Sequence, residues 1–129
     1  MAAGSQGVGR PVDLEDRLIR FGVRVMTVVE VLPRGRLGNH VAGQLVRCGT
    51  SGPANYAEAR GGESRADFIH KLNIVVKELR ETRSWLLMSQ LKPLIKPQNR
   101  LDPIIREANE VIAVFVASVQ TAKRTKDKQ

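Results

Sequence analysis

Apolar residues recur at helical spacing in four segments of the chain, and glycine or proline separates these segments. In the first segment Asp13 occupies a typical helix N-cap position, and Pro33 with Gly35 ends the pattern. Its apolar positions alternate at intervals of four and three residues: Leu14, Leu18, Phe21, Val25, Val28 and Leu32. The pattern predicts a first helix from Asp13 to about Leu32.

The second segment keeps a helical period although it contains residues that disfavour a helix. It begins near residues 37–39 and continues to about Ala59, with Gly49, Gly52 and Pro53 in its interior. Glycine and proline cost roughly 1 and 3 kcal/mol in a helix interior. We therefore expect one helix in which Gly49 and Gly52 allow a neighbouring backbone to approach closely.

The last two segments each predict a helix, and the third helix is expected to be the longest. Ser64, with Asp67 three residues later, resembles a capping box for a third helix that ends near Leu91. Its apolar seam consists of Phe68, Leu72, Val75, Leu79, Thr82 and Leu86. The fourth helix starts between Gln98 and Pro103 and frays after Thr121. Its seam consists of Leu101, Ile104, Ala108, Val111, Phe115 and Val119.

Four amphipathic segments with short connections and no strand pattern predict an all-α fold, an antiparallel up-down-up-down four-helix bundle. The bundle domain covers residues 13–122. Residues 1–12 lack periodicity and are expected to form a flexible arm, and residues 123–129 form a basic tail.

Composition narrows the class of partner. The formal net charge is +8 with a pI of about 10.4, which favours polyanions, nucleic acid first and an anionic membrane surface second. A solvated basic surface without such a partner stays open as an alternative. Cys48 is the single cysteine and is expected to be a small core residue of a protein in a reducing compartment. There is no membrane-length apolar run and no signal-peptide pattern, so we expect a cytoplasmic protein.

The basic residues are not scattered evenly. Arg17, Arg20 and Arg24 are spaced by three and four, which places them on one face of the first helix. Two further basic clusters are expected at opposite ends of the bundle: Arg34 and Arg36, and Lys123 and Arg124. These seven residues are the candidate nucleic-acid contacts.

A polar stripe follows the second predicted helix and is the other candidate site. Spacings of three and four residues place five side chains along one side: Gln44, Arg47, Ser51, Asn55 and Glu58. Glu58 and Glu78 could face each other across a hairpin, with Arg47 meeting them in the same chain or in a neighbouring subunit. An ion-pair network that fixes register is favoured over metal or acid–base chemistry. His40 and His70 stand outside any metal or catalytic motif, so no catalytic residue, metal or cofactor is expected.

The stretches QLVRCGTSGPANYAEARGGES and DFIHKLNIVVKELRETRSWL resemble the four-helix-bundle proteins of the bacterial 23S rRNA-intervening sequence protein family. The similarity covers nearly the whole chain. Its most specific part is the pattern carried here by Gln44, Leu45, Arg47, Ser51, Asn55, Ala57 and Glu58, and Glu78 also fits. Ala59 stands where many members have glycine after the Ala-Glu pair.

The resemblance implies a homo-oligomer, in several members a pentameric ring, and brings no settled biochemical activity. Related bundles are accessory proteins of diversity-generating retroelements, which act beside a reverse transcriptase and nucleic acid.

Three functional hypotheses follow. The first is a non-enzymatic homo-oligomer that binds structured RNA through its basic faces. The second is an assembly or adaptor protein with a protein partner, in which Arg47, Asn55, Glu58 and Glu78 build the oligomer. The third and weakest is a metal-assisted hydrolase that uses Glu58 and Glu78.

Overall fold

The computed structural model describes residues 13–128, and the side chains of residues 13–125. This part of the chain contains helices and no strand. The α-helices are α1 (Leu14–Val31), α2 (Arg36–Gly49), α3 (Gly52–Arg60), α4 (Arg65–Leu91) and α5 (Asp102–Lys128), with a 3₁₀ helix at Gln98–Leu101 before α5. The predicted arm of residues 1–12 lies outside the described residues.

The helices form a four-helix bundle in which α2 and α3 together make one of the four legs. Helix α1 packs against α2, α3 and α5, and α4 packs against the same three helices from the other side. Short connections join successive legs, so neighbouring legs run antiparallel. The predicted all-helical fold is confirmed.

Aliphatic side chains fill the core at the positions that the periodicity predicts. The fully buried members of the four legs include Leu18, Val25, Leu45, Leu72, Val75, Leu86 and Val111, with the aromatic rings of Phe21 and Phe115. The two buried hydroxyls bond to their own helix: Thr82 donates to the carbonyl of Glu78 and Ser89 to that of Trp85, each at 2.8 Å. Because these polar groups have partners, their burial carries little penalty.

Side-chain caps begin α1 and α4 where the sequence predicts them. Asp13 accepts a hydrogen bond from the backbone N–H of Asp16 at 3.1 Å, and Ser64 accepts one from Asp67 at 3.1 Å. Each satisfies a backbone donor that a helix start leaves free. The two caps therefore set where the first and third legs begin.

The second leg differs from the prediction of one continuous helix. It is interrupted at Thr50 and Ser51, because Pro53 lacks the N–H that would continue the hydrogen-bond ladder and therefore fits only the first turn of a new helix, α3. The hydroxyl of Ser51 bonds to the carbonyl of Cys48 at 3.1 Å. The break thus separates two helices that still share one side of the bundle.

Close approach of α1 explains the glycines that flank this break. A Cβ on Gly49 would lie 2.6 Å from Cγ1 of Val25, and one on Gly52 would lie 2.9 Å from Cδ2 of Leu18. Side chains of α1 therefore occupy the space that a larger residue would need. Helix α1 does pack closely here, but the predicted approach of a backbone was wrong at these two positions, because the groups that meet Gly49 and Gly52 are side chains.

The fourth leg has a longer structured course than the sequence predicts. It opens with the 3₁₀ turn and enters α5 at Asp102, within the predicted interval. Helix α5 then continues to Lys128, past the predicted fraying point at Thr121, and Ala122 is still buried. Burial of Ala122 supports the additional turn.

Candidate nucleic-acid interface

We call Arg17, Arg20 and Arg24 the arginine ladder of α1. Carboxylates neutralise most of its charge. Arg17 pairs with Glu107 at 3.4 Å and with Glu110 at 3.1 Å, and 26% of its side chain is exposed. Arg20 pairs with Asp16 at 2.8 Å, and this hydrogen bond raises the pKa of the guanidinium. A phosphate group would have to compete with these carboxylates.

Arg24 is the exception within the ladder. It is exposed, and it takes part in no ion pair among residues 13–125. The ladder therefore presents one available guanidinium where the sequence spacing alone suggested three.

The two terminal basic clusters occupy opposite ends of the bundle. Arg34 and Arg36 are exposed in and just after the α1–α2 connection. Lys123 and Arg124 are exposed near the end of α5, which runs back to the other end. Their separation means that one short ligand segment cannot contact both clusters on the same subunit.

A basic groove between α4 and α5 is the feature that the sequence analysis missed. The α4–α5 groove carries a row of cationic and amide side chains: Asn73, Arg80, Arg83, Asn109, Gln120 and Lys123. Three valines, Val76, Val116 and Val119, complete the lining of its cavity. Arg83 donates to the Asn109 side-chain oxygen at 3.0 Å, which holds its guanidinium across the groove. Arg80, Asn73, Gln120 and Lys123 border a cavity of about 160 Å³ farther along.

Four carboxylates in the middle of the long helices face other grooves, whereas Asp102 at the start of α5 accepts a hydrogen bond from Gln90 of α4 at 2.8 Å. Glu107 and Glu110 of α5 bind Arg17 on the α1 side. Glu78 and Glu81 of α4 bind Arg47 on the α2 side. The groove between α4 and α5 consequently has no carboxylate among its lining residues.

Helical spacing contained this signal. Asn73, Arg80 and Arg83 are separated by seven and three residues, so they share a flank of α4, and Glu78 and Glu81 lie on the other flank. The Glu78 flank of α4 faces Arg47 of α2, and the Arg83 flank faces Asn109 of α5. Spacing within α4 does not show which of its flanks packs against which neighbouring helix. That relation became visible only with the tertiary structure.

A second polar cluster joins α2 to α4. The Arg47 cluster consists of Gln44, Arg47, Glu78, Glu81 and Trp85. Arg47 donates to Glu78 and to the Gln44 side-chain oxygen, each at 3.1 Å, and it also pairs with Glu81. The Trp85 indole N–H donates to Glu81 at 3.3 Å. Because 12% of the Glu78 side chain is exposed, Arg47 neutralises a carboxylate that water barely reaches.

The remaining residues of the polar stripe do not join this cluster. Glu58 pairs with Lys71 at 2.6 Å. Lys71 lies on α4 about two turns before Glu78. Ser51 bonds within its own leg, and the backbone N–H of Asn55 donates to the Ser51 carbonyl at 3.2 Å. Within the chain, Glu58 and Glu78 thus have separate basic partners and do not face each other across the hairpin, and Arg47 meets only Glu78 of the two.

An apolar strip runs along the outside of the α1–α2 contact. Ile19, Val23 and Met26 recur at intervals of four and three on α1, and about half of each side chain is exposed. Val46 is likewise exposed on α2, the helix that packs against α1. We call these four residues the α1–α2 apolar strip.

Groups with catalytic chemistry are dispersed. Within residues 13–125 no three His, Cys, Asp or Glu side chains come close enough to hold a metal ion. His40 is exposed with its ring 5.7 Å from that of Trp85, and His70 is exposed on α4. Cys48 is buried, and burial raises the pKa of its thiol, which keeps it protonated at neutral pH.

None of the helices in the described region combines the length and apolarity needed to cross a bilayer.

Comparisons with known proteins place this architecture in a family. The model of the 23S rRNA-intervening sequence protein family matches residues 15–117. A solved structure from Bacteroides thetaiotaomicron, a protein of unknown function from the S23 ribosomal protein family, is 30% identical in sequence with a TM-score of 0.72. That alignment covers 83% of this chain and 95% of the other.

No curated protein matches the chain. The family match covers most of the bundle, and the solved structure shares both its fold and nearly a third of its aligned residues. The chain therefore belongs to the 23S rRNA-intervening sequence protein family.

Proposed function

We propose that this protein is a non-enzymatic, homo-oligomeric bundle of the cytoplasm that binds nucleic acid, specifically structured RNA. The observation that carries the proposal is the α4–α5 groove, in which Arg80, Arg83 and Lys123 share a surface with amide groups and no lining carboxylate. Phosphates are bound by such cations, and amides add hydrogen bonds to phosphate and sugar. This site replaces the α1 ladder as the leading contact surface.

Recognition would depend on charge and shape. Stacking of single-stranded bases needs exposed aromatic rings, and the aromatic groups nearest the surface are already engaged. Trp85 donates to Glu81, and Tyr56 packs its ring edge-on against Phe115 at 5.6 Å between centroids. A structured RNA with closely spaced phosphates fits this surface better than an unpaired strand.

Oligomerisation is supported by the α1–α2 apolar strip. Exposed apolar side chains in a continuous row favour burial against another protein surface. The α1–α2 apolar strip and the α4–α5 groove lie on different helices. Self-association through the strip would therefore leave the groove open. The resemblance implies a ring of five, which would repeat the groove around its circumference.

Names of related proteins give weaker support. The family name and the Bacteroides structure both refer to ribosomal contexts. This is an association by name, whereas the groove is a physical argument.

The proposal is tested by the salt dependence of binding to a fluorescently labelled RNA hairpin, measured by anisotropy. Each phosphate contact contributes roughly 0.7–0.9 to the slope of log affinity against log salt. We expect Arg80→Gln/Arg83→Gln to lower the slope by about one to two. The matched control Arg20→Gln/Arg24→Gln removes the same charge from α1 and should change the slope less.

Light scattering of the same samples at low and high salt gives the oligomer size. A wild-type protein that fails to bind the hairpin at low salt would refute the RNA proposal. If the slope of log affinity against log salt is equal for wild type and the Arg80→Gln/Arg83→Gln variant, the RNA binds to another surface. If the α1 control alone lowers the slope, the original ladder hypothesis is favoured.

A protein adaptor is the second candidate, and the same apolar strip favours it. An apolar protein interface persists when salt is raised, whereas polyanion binding collapses. A complex with a different protein that survives high salt and is lost in Val23→Asp would support the adaptor. Loss of self-association in that variant would instead assign the strip to the homo-oligomer.

A further inference from the structure

A cavity of about 300 Å³ opens between α1 and the beginning of α5, on a different side of the bundle from the α4–α5 groove. This volume is at the lower end of the range for ligand pockets, about 300–1,000 Å³. Most of its wall is aliphatic: Val28, Val31, Ile95, Leu101, Pro103 and Ile104. Ile95, Leu101 and Ile104 are otherwise core residues, so the cavity reaches the edge of the hydrophobic core.

Two guanidinium groups border this apolar wall. Arg24 approaches from α1 and Arg100 from the 3₁₀ turn before α5. Neither forms an ion pair within residues 13–125, and the lining contains no carboxylate. The hydroxyl of Thr27, also in the lining, already donates to the Val23 carbonyl at 3.1 Å, so the arginines are the available charged donors.

The combination specifies the chemistry of an occupant. Apolar walls favour an aliphatic or compact apolar body, because it displaces water that cannot hydrogen-bond to them. Two guanidiniums favour a carboxylate, which accepts charge-assisted hydrogen bonds from them. A nucleic-acid strand fits poorly, since its many phosphates would lose hydration against aliphatic side chains.

We propose that this cavity binds a small amphipathic carboxylate, with its apolar chain against Ile95 and Leu101 and its carboxylate between Arg24 and Arg100. The proposal does not depend on RNA binding, because the cavity and the α4–α5 groove share no residue. The protein would then carry a small-molecule site in addition to its polyanion surface.

The test uses the full-length protein and octanoate as the probe, with octan-1-ol as its neutral counterpart. Methyl resonances of Val28, Val31, Ile95 and Ile104 report binding in the cavity, and those of Val41 and Leu45 serve as distant controls. Calorimetry gives the affinity. We expect octanoate to shift the cavity methyls and to bind more tightly than octan-1-ol.

Charge-neutral variants test the role of the arginines. Arg24→Gln and Arg100→Gln should each weaken octanoate binding by about fivefold to tenfold and leave octan-1-ol unchanged. Arg20→Gln is the matched control, because this exposed arginine of α1 does not line the cavity and should leave octanoate binding unchanged. Circular dichroism of each variant verifies that the bundle is intact.

Three results would overturn the proposal. Octanoate that shifts no cavity methyl shows that the site does not bind it. If octanoate and octan-1-ol bind equally and neither arginine variant changes this, the cavity recognises only apolar groups and the arginines do not bind a carboxylate. Cavity methyls that shift when the ligand-free protein is diluted show that a second copy occupies the surface.

Discussion

Replacing Gly49 with alanine tests the packing of α1 against the interrupted leg. The added methyl would lie 2.6 Å from Cγ1, 3.0 Å from Cγ2 and 3.1 Å from Cβ of Val25. Carbon atoms prefer separations of about 3.5–4.0 Å, so a displacement of about 1 Å is required. Val25 is fully buried in a helix, and its branched side chain has essentially one favourable rotamer there.

The expected net effect is destabilisation by about 1–2 kcal/mol. Overpacking a filled core costs about 1–3 kcal/mol. The better helix propensity of alanine offsets at most about 1 kcal/mol, and less at Gly49 because it is the last residue of α2. With a urea slope of about 1.5–2 kcal/mol per molar, the midpoint of unfolding should fall by about 0.5–1.3 M.

Urea unfolding followed by circular dichroism, at one fixed protein concentration, measures this change. Gly43→Ala is the matched control, because Gly43 lies in the same helix and a Cβ there would meet nothing within 4 Å. That substitution should stabilise the protein by up to about 1 kcal/mol. Fixed concentration matters because association contributes to apparent stability.

A double-mutant cycle with Val25→Ala isolates the contact itself. Val25→Ala alone should cost about 2 kcal/mol through the cavity it leaves. In combination with Gly49→Ala the new methyl uses part of that cavity, so the double variant should be about 1 kcal/mol more stable than the two losses added together. If Gly49→Ala proves as stable as Gly43→Ala, or if the two losses add, the steric argument is refuted.

Three further predictions concern polar groups. Arg47→Met should lower the urea midpoint of unfolding because it leaves the nearly buried Glu78 without its main partner, whereas Arg20→Gln removes an exposed pair and should change the midpoint less. Burial raises the pKa of the Cys48 thiol in the folded state. The protonated thiol therefore contributes its full stabilisation below the ordinary thiol pKa, and this contribution is lost as pH rises above that value. Between neutral and alkaline pH, wild type should lose more stability than Cys48→Ala. Asp13→Ala should cost about 1 kcal/mol in the same assay, and no change would show that the cap to Asp16 is unimportant.

Local sequence patterns were sufficient to predict most of the helix boundaries. The spacing of apolar residues located all four legs, and the caps at Asp13 and Ser64 marked two helix starts. Periodicity did not reveal the break at Thr50, because the side chains on both sides keep nearly the same register. Pro53 carried the signal, as its missing N–H fits the first turn of a helix better than an interior.

The candidate site was less predictable because it depends on pairs of helices. Spacing correctly grouped Arg17, Arg20 and Arg24 on one face, but the carboxylates that occupy Arg17 come from a helix 90 residues later in the chain. The same holds for Arg83 and its partner Asn109. Whether an arginine is available therefore depends on which flank each helix turns toward its neighbour, and a single sequence does not contain that information directly.

The unequal distribution of carboxylates has a consequence for the electric dipole of the molecule. In an antiparallel bundle the backbone dipoles of neighbouring legs largely cancel along the bundle axis. The ion pairs of Arg17 and Arg47 balance charge locally, while positive charge without an ion-pair partner among residues 13–125 remains on both sides of α5. It comes from Arg24 and Arg100 at the α1–α5 cavity and from Arg80 and Lys123 in the α4–α5 groove. The protein consequently carries a dipole component across its long axis, and near a negatively charged surface it will rotate the side that carries α5 toward that surface before any contact forms.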